Sequence, residues 1–399
     1  MKRAVSVLVC LVSVAIVYPC SAADSIKVGI VDSYSGPATA HTFDILDGFK
    51  LAVTKANAKG VLGRKIEFTT RDDKFKPDIG LTMAKELIMK ENVDILVGTI
   101  NSATTLAVSD FVKKEKVPFF VTGAKSEKIT GEKGHRYVFS TNENTRMIGR
   151  AAAIALAKKP FVKYWIAGED YEFGHAYAEA VWNDLKELKP GVQLAGQSWW
   201  KVGESDIVPY LTAILQAKPD CIIGATGGAG NVNFMKSVKA MGLNQKVAVY
   251  HHNGTEVSVL GPLGLDAPVG IIGTAVYHSY FPETPENKAF VEEFKKAFNK
   301  APRTTSLAGY ITGMFIARGY EKAGKFDREA LVNALEGLVI DSPVGKAEMR
   351  ACDHQVVLPM FAGVTKISPG YEFLIATDII TIPGKDLMPS CEFIKKIRQ

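Results

Sequence analysis

The sequence has few of the features that would place it in a specialised structural class. Cysteine is scarce, with 5 in 399 residues. The N-terminal apolar stretch is too short to span a bilayer, and no later apolar run is long enough to form a membrane helix. No basic run with interleaved aromatic residues is present, so nothing argues for a nucleic-acid partner. With 47% apolar and 23% charged residues, the chain has the composition of an ordinary globular protein.

The motifs of several enzyme classes are also absent. Neither G-x-S-x-G nor H-E-x-x-H occurs, and the glycine-rich residues 224–230 lack the G-x-G-x-x-G spacing of a dinucleotide site. His251 and His252 are adjacent, so on an extended segment they point to opposite faces, and no Cys or His lies at metal-ligand spacing. We therefore predict that the protein is not an enzyme and carries no cofactor or metal.

Residues 1–23 are predicted to be a secretory signal peptide. Lys2 and Arg3 precede an apolar stretch, and small residues end at Ala23. Cys20 suggests a lipoprotein site, but Tyr18 and Pro19 precede it, whereas lipid attachment requires small residues there. Removing the two leader charges from the net charge of +6 leaves +4, and the mature protein is expected to be exported and soluble.

Three cysteines remain after the leader. Cys221 lies in an apolar run, which favours a buried free thiol. Cys352 and Cys391 both lie in irregular C-terminal sequence, and in an oxidising compartment they are candidates for one disulfide.

Short apolar runs alternate with helical patterns twice along the chain, first over residues 26–140 and again over residues 147–250. This alternation predicts two similar α/β lobes rather than one long sheet. No Pro/Ser-rich linker separates them, so we expect the chain to cross between the lobes more than once. A cleft between the lobes would then be the binding site.

The stretch from residue 93 to residue 126 contains two predicted strand ends that carry small and hydroxyl-bearing residues. Ligands of parallel sheets bind beyond the carboxyl ends of the strands, and the first turn also opens a helix. Accessible backbone N–H groups at such turns suit a carboxylate or another anion. An ordinary N-cap at Ser102 and an ordinary turn at Gly123 remain the alternative. The residues concerned are Ser102, Thr104, Thr122, Ala124 and Ser126.

The order and spacing of several segments resemble the periplasmic branched-chain amino-acid-binding protein family. The segments are IKVGIVDSYSGP, NAKGVLGRKIEF, RDDKFKPD, ILVGTINSATT, VPFFVTGAKS, DYEFG and TSLAGY, and the likeness covers essentially the whole mature chain. It implies a type I periplasmic binding fold, with two Rossmann-like α/β lobes of parallel sheets flanked by helices. It also implies three crossing segments, near residues 140–145, 274–280 and 350–358, and a periplasmic monomer that docks onto an ABC permease.

This resemblance gives expected domain boundaries. After the signal peptide, residues 24–142 form lobe 1, 143–276 lobe 2, 277–352 a return to lobe 1, and 353–399 lobe 2 with the C-terminal tail.

The resemblance also implies a set of ligand-binding residues. Family members hold the ligand carboxylate on the two turns described above, which here provide Ser102, Ala124 and Ser126. An aromatic residue of lobe 2 covers the ligand, and either Tyr171 or Phe173 matches it. Further positions that match the family pattern or follow the last lobe 2 strand are His41, His252, Asn253 and Tyr310.

One departure from the family leaves the ligand open. Amino-acid-binding members place a carboxylate after the last lobe 2 strand to pair with the ligand ammonium, which needs a counter-charge once desolvated. Here Glu256 is displaced from that position. Either the ligand is an amine-free aromatic or keto acid recognised by His252 and Asn253, or Glu256 or Asp170 reaches an ammonium. The same fold also serves in ligand sensors, which leaves a sensor as the alternative to a transport shuttle.

Overall fold

The structure is a computed structural model that describes residues 25–399, so the predicted signal peptide lies outside it. Within that range the strands, in chain order, are β1 Ile26–Asp32, β2 Ile66–Asp72, β3 Ile95–Gly98, β4 Phe119–Val121, β5 Val138–Ser140, β6 Lys163–Glu169, β7 Gln193–Trp200, β8 Cys221–Ala225, β9 Ala248–His252, β10 Ile272–Ala275, β11 Val339–Ser342, β12 Gly345–Met349, β13 Val356–Val357, β14 Met360–Lys366 and β15 Ile375–Ile382. The α-helices are α1 Thr39–Lys59, α2 Pro77–Met89, α3 Ser102–Glu115, α4 Thr145–Ala157, α5 Glu172–Leu188, α6 Val208–Ala217, α7 Ala229–Ala240, α8 Val257–Leu260, α9 Pro285–Phe298, α10 Thr304–Ala323, α11 Arg328–Leu335 and α12 Cys391–Ile397. Across residues 25–399, every helix is too short or too polar to span a lipid bilayer.

Lobe 1 is built on a parallel five-stranded sheet with the order β2-β1-β3-β4-β5. Successive side chains of a strand point to opposite faces, and both faces are buried here. Ile30 and Val97 pack in the cluster that contains α1, whereas Val31 and Leu96 pack in the cluster formed by α2 and α3. Because both faces are covered at the centre of the sheet, β3 and β4 are short continuous apolar runs, as is typical of parallel sheets, whereas the edge strand β2 is more polar.

Lobe 2 is built on a seven-stranded sheet with the order β15-β14-β10-β9-β8-β6-β7. Strands β6 to β10 are parallel to one another, which agrees with the predicted fold class. The C-terminal tail adds β14 and β15, which run antiparallel at the edge next to β10. Helices α9 to α11 return to lobe 1, where α10 packs along α1.

Three crossing segments, residues 141–144, 276–284 and 350–359, connect the lobes. The first and third are joined directly, since Ser140 and Gln355 form a parallel bridge. The Gln355 side chain donates to Asn142 O (2.6 Å) and accepts from Thr130 Oγ1 (3.0 Å) and Asn144 Nδ2 (3.2 Å). We call these three segments the hinge.

The C-terminal helix α12 is fixed beside the hinge. Cys352 and Cys391, the pair predicted from the sequence, form a disulfide with a Cα–Cα distance of 5.9 Å, and Cys221 is a buried free thiol. The Arg398 guanidinium donates to the carbonyl oxygens of Thr130 (2.7 Å) and Gly131 (3.0 Å) in lobe 1. In the sequence, residues 339–399 have a strand- and turn-like pattern with Gly and Pro throughout, so the helix α12 is a difference from expectation.

The contact between α1 and α10 depends on two glycines. A Cβ atom at Gly48 would lie 1.9 Å from Ser306 O, and one at Gly309 would lie 1.9 Å from Ile45 O. Because those neighbours are backbone atoms, the helices would have to separate to admit a methyl group.

Replacing Gly48 by alanine is therefore expected to lower the free energy of unfolding by about 1–3 kcal/mol, despite the higher helix propensity of alanine. Urea unfolding would measure the change. Gly261→Ala is the matched control, because its nearest neighbouring atom would be 3.8 Å away, and it should leave stability nearly unchanged. Equal midpoints for the two variants would contradict the close-packing argument.

Candidate functional site

A cavity of about 750 Å³, a volume that includes the solvent at its mouth, lies between the two lobes. Its walls are formed by the loops that follow β1 to β4 in lobe 1 and β6 to β9 in lobe 2, together with the first turns of α1 and α10. The carboxyl ends of both parallel sheets therefore face one space, which is the position expected for a ligand site in such sheets.

The cavity brings together part of the set predicted from the sequence. Some of the predicted residues line it, and the others lie behind its wall or in the core. The lining members are His41, Ser102, Tyr171, Phe173 and Asn253, whereas Ala124, Ser126, His252 and Tyr310 do not line it.

Ser102 is held at the cavity wall by two loops of lobe 1. It is the first residue of α3, and the preceding Asn101 is the N-cap, whose side chain accepts from Ala103 N (2.9 Å). The Ser102 hydroxyl oxygen accepts hydrogen bonds from Lys125 N (3.3 Å) and Ser126 N (3.2 Å). Within residues 25–399 the Ser102 hydroxyl oxygen only accepts, so its proton is available for a hydrogen bond to a ligand.

The predicted partners of Ser102 already have other hydrogen-bond partners. Ala124 N donates to Thr99 O (2.9 Å). The Ser126 hydroxyl donates to Glu172 Oε1 (2.9 Å) at the start of α5, so Ser126 connects lobe 1 to lobe 2 behind the cavity wall.

Tyr310 lies on the wrong side of α10 to form an aromatic wall of the cavity. Thr304 and Thr305 in the first turn face the cavity, and five residues later an α-helix has turned by about 140° beyond one full turn. The Tyr310 ring packs instead against Phe290, with the ring centroids 4.7 Å apart, and Lys55 Nζ lies 5.8 Å from its centroid.

The aromatic cover of the cavity comes from the start of α5. Tyr171 is the N-cap residue, and its ring centroid lies 5.8 Å from that of Phe173, which in turn stacks on the buried Tyr177. Phe75 and Ile100 of lobe 1 line the same space. These side chains give the cavity an apolar wall suited to a hydrocarbon or aromatic group.

Two carboxylates of lobe 2, Glu169 and Glu256, line the cavity. The sequence analysis did not select Glu169 and considered Glu256 only as an alternative. Glu169 ends β6 and accepts from Gly227 N (2.9 Å) and Gly203 N (3.4 Å). Glu256 accepts from Thr304 N (2.9 Å) and Ser258 Oγ (2.8 Å). Both are 2% exposed, and burial raises the pKa of each.

Asp170, the other proposed partner for an ammonium, is not part of the cavity lining. Its side chain is 66% exposed and pairs with His175 Nε2 at 2.7 Å. In the sequence, Glu256 follows the end of β9, which carries two histidines. That position is the signal that indicates Glu256 as a residue of the site.

Lys125 is the one cationic side chain among the described residues that line the cavity. Its ammonium forms an ion pair with Glu143 of the hinge, whose side chain is 1% exposed. Burial alone would raise the pKa of Glu143, but Lys125 and His252 outweigh burial and lower the pKa to about 2. The sequence analysis did not select Lys125 as a site residue, although its position inside a turn of small residues could have indicated it.

The histidines near the cavity are neutral at neutral pH. Burial lowers the pKa of His41 and of His252 to about 4. His252 Nε2 lies 3.6 Å from Glu143 Oε1, whereas His251 points to the opposite side of β9 and contacts Thr226 Oγ1 at 2.7 Å. Within residues 25–399, no group of three or more His, Cys, Asp or Glu side chains is placed to hold a metal ion.

Asn253 has a positive φ of 64°, a conformation that asparagine tolerates better than most residues. Its side chain lines the cavity, and its buried Oδ1 has no hydrogen-bond partner among the described residues. Asn253 therefore has an acceptor available for a ligand donor.

The two lobes touch at the rim of the cavity. Ala229 N at the start of α7 donates to Pro37 O (3.3 Å) in the loop after β1, and Thr304 N donates to Glu256 at the start of α10. Contacts of this kind exist only while the lobes are close together, so the structure corresponds to a closed arrangement.

Comparison with known proteins shows similarity over most of the chain. A family model described as periplasmic binding protein matches residues 25–368. A Leu/Ile/Val-binding protein homolog 7 of Brucella suis biovar 1 (strain 1330) is 27% identical over 345 residues, which cover 82% of this chain and 84% of that protein.

Two solved structures from Rhodopseudomonas palustris are similar in fold and sequence. One is an ABC transporter solute-binding protein in complex with 4-hydroxybenzoate, with a TM-score of 0.81 and 25% identity over 90% of this chain and 97% of that chain. The other is an ABC-type branched-chain amino acid transporter protein from strain CGA009, with a TM-score of 0.75 and 26% identity over 91% of this chain and 98% of that chain.

Proposed function

This chain belongs to the periplasmic binding protein family, and on that premise we propose that it is the solute-binding component of an ABC importer. The ligand we propose is an amino acid with an apolar side chain, held between the lobes and delivered to a membrane permease. The protein acts as a monomeric periplasmic shuttle and catalyses no reaction.

The charge arrangement of the cavity is the observation that carries this ligand class. Lys125 lines one side, and Glu169 and Glu256 line the other. Two buried carboxylates would repel a ligand that carries only negative charge, whereas an ammonium would offset their desolvation. The apolar wall formed by Tyr171 and Phe173 then accommodates the side chain.

Binding and closure follow from this division between the lobes. In an open arrangement the ligand docks on lobe 1 at Ser102 and Lys125. Lobe 2 then closes and brings Glu256, Glu169 and the aromatic pair against it. Closure is favoured by the contacts that lobe 2 makes with the bound ligand and cannot make without it. The closed pair of lobes is the form presented to the permease.

Calorimetric titration of the mature chain with leucine and with its keto acid, 4-methyl-2-oxopentanoate, tests the proposal. The two compounds share a carboxylate and a branched side chain but differ in the amine. We expect leucine to bind about ten- to hundredfold more tightly, because an ammonium on a buried carboxylate is a charge-assisted contact. Tighter binding of the keto acid would overturn the amino-acid assignment.

Ser102→Ala is expected to weaken leucine binding by about 1.5–3 kcal/mol, the value of one charge-assisted hydrogen bond. Titration calorimetry measures the change. Ser109→Ala is the matched control, because Ser109 lies on the same helix, is 1% exposed, and contacts His135 rather than the cavity. Equal losses in the two variants would show that the effect comes from α3 and not from the ligand.

An amine-free aromatic acid is the second candidate ligand, and one feature of Glu256 favours it. Both carboxylate oxygens of Glu256 already accept hydrogen bonds, from Thr304 N and Ser258 Oγ, so Glu256 has polar partners without an ammonium from the ligand. Benzoate and 4-hydroxybenzoate belong in the same titration series. If benzoate or 4-hydroxybenzoate binds and leucine does not, the proposed ligand class changes from an amino acid to an aromatic acid.

A further inference from the structure

The ammonium of Lys125 lies between a buried carboxylate and the cavity. Lys125 follows β4 and lines the cavity, with its side chain 14% exposed. Glu143 belongs to the hinge and is 1% exposed. An ammonium has three N–H donors, and within residues 25–399 the hydrogen bond to Glu143 uses one of them.

Several backbone N–H groups around Lys125 already have acceptors within the protein. The amides of Lys125 and Ser126 donate to the Ser102 hydroxyl, and Ala124 N donates to Thr99 O. The Asn101 side chain accepts from the N–H groups of Ala103 and Thr104 at the start of α3. An anionic ligand group that enters this side of the cavity therefore finds its strongest available donors on the Lys125 ammonium.

We propose that Lys125 selects the anionic group of the ligand and that Glu143 sets the strength of that contact by competing for the same ammonium. The inference rests on the proposed binding function but not on the presence of an amine in the ligand. A bound carboxylate and Glu143 would share one positive charge, so each weakens the hold of the other. Glu143 is a positioning residue, because it acts on the ligand through Lys125.

The charges of the neighbouring histidines are consistent with competition between Glu143 and the ligand for Lys125. His252 faces Glu143 from lobe 2 at 3.6 Å and is neutral at neutral pH, since burial lowers its pKa to about 4. His41 of α1 is likewise neutral. Lys125 therefore neutralises Glu143, and a ligand anion must compete with that pairing.

Glu143→Gln tests the competition, because glutamine keeps the shape and can still accept a hydrogen bond from Lys125. We expect this variant to bind leucine, or benzoate if that is the ligand, about tenfold more tightly than the unaltered protein. The matching amide, leucinamide or benzamide, should bind with unchanged affinity. A structural role for Glu143 would weaken acid and amide together, and that result would overturn the proposal.

The double variant Lys125→Met/Glu143→Gln removes both charges, so neither is left buried without a partner. In the unaltered protein the acid should bind about ten- to hundredfold more tightly than its amide, and in the double variant this preference should fall to near parity. If the unaltered protein binds leucine or benzoate but both proteins show the same acid-to-amide ratio, the role of Lys125 is refuted while the binding function stands. If it binds neither compound, the proposed function and the inference both fail.

Discussion

Replacing Lys125 by methionine is expected to lower the free energy of unfolding at pH 7 by about 3–5 kcal/mol, the usual cost of removing one partner of a buried ion pair. The variant leaves the Glu143 carboxylate, which is 1% exposed, without its cationic partner. In the unaltered protein the neighbouring His252 is neutral at this pH, because burial lowers its pKa to about 4. Urea unfolding monitored by circular dichroism measures the change.

The deficit should depend on pH in a defined direction. The pKa of Glu143 is lowered to about 2 from an ordinary value of 4.5, so the ion pair stabilises the fold above about pH 4.5, and its contribution is lost as the pH falls toward 2. Without Lys125, burial raises the pKa of Glu143, and the carboxyl destabilises the fold when it is ionised. The difference between the two proteins should therefore be largest near pH 7 and should narrow as the pH approaches 3.

Lys128→Met is the matched control for this prediction. Lys128 also pairs with a carboxylate, Glu172 at 3.0 Å, but its side chain is 44% exposed. Exposed ion pairs contribute about 0–1 kcal/mol, so this variant should remain close to the unaltered protein. A loss for Lys125→Met no larger than that of the control, or one that does not change with pH, would contradict the burial argument.

Removing the disulfide with Cys352→Ala/Cys391→Ala is expected to lower the free energy of unfolding by about 3–4 kcal/mol. The two cysteines are 39 residues apart, and a cross-link over a loop of that length restricts the unfolded chain by about this amount. The cross-link joins the hinge to α12, and the segment it encloses contains β14 and β15. Urea unfolding under non-reducing conditions measures the loss.

A reducing agent provides the internal control for the disulfide prediction. Dithiothreitol should bring the unaltered protein to the stability of the double variant and should leave the variant itself unchanged. Cys221 is a buried free thiol in both proteins, so it does not contribute to the difference. An unfolding midpoint that does not respond to reduction would show that the cross-link contributes nothing.

The position of the cleft could be predicted because it follows from local patterns. Short apolar runs alternating with helical periodicity gave two α/β lobes, and the carboxyl ends of their strands locate Ser102, Tyr171, Phe173 and Asn253. These residues stand within a few positions of a strand end, and that offset depends little on tertiary contacts.

The detailed chemistry of the cavity depends on contacts that no local pattern contains. Whether the amides of Ala124 and Ser126 are free depends on acceptors in another loop, and the pairing of Lys125 with Glu143 depends on how the hinge passes beneath β4. The position of Tyr310 could not be predicted, because it depends on how α10 is rotated about its own axis relative to the cavity. The strand-like pattern of the C-terminal tail likewise gave no indication of α12. This helix is seven residues long and is held in place by the disulfide and Arg398.

The antiparallel edge of the lobe 2 sheet has a consequence for how the protein folds. Strand β10 pairs on one side with β9, about 20 residues earlier, but on the other side with β14, which begins 85 residues after β10 ends. Until residues 360–366 dock, that edge of β10 presents unpaired backbone groups, which are open to pairing with other chains. Long-range pairing of this kind slows folding and exposes intermediates to aggregation. We therefore expect folding yield to depend more strongly on protein concentration than the stability of the finished fold does.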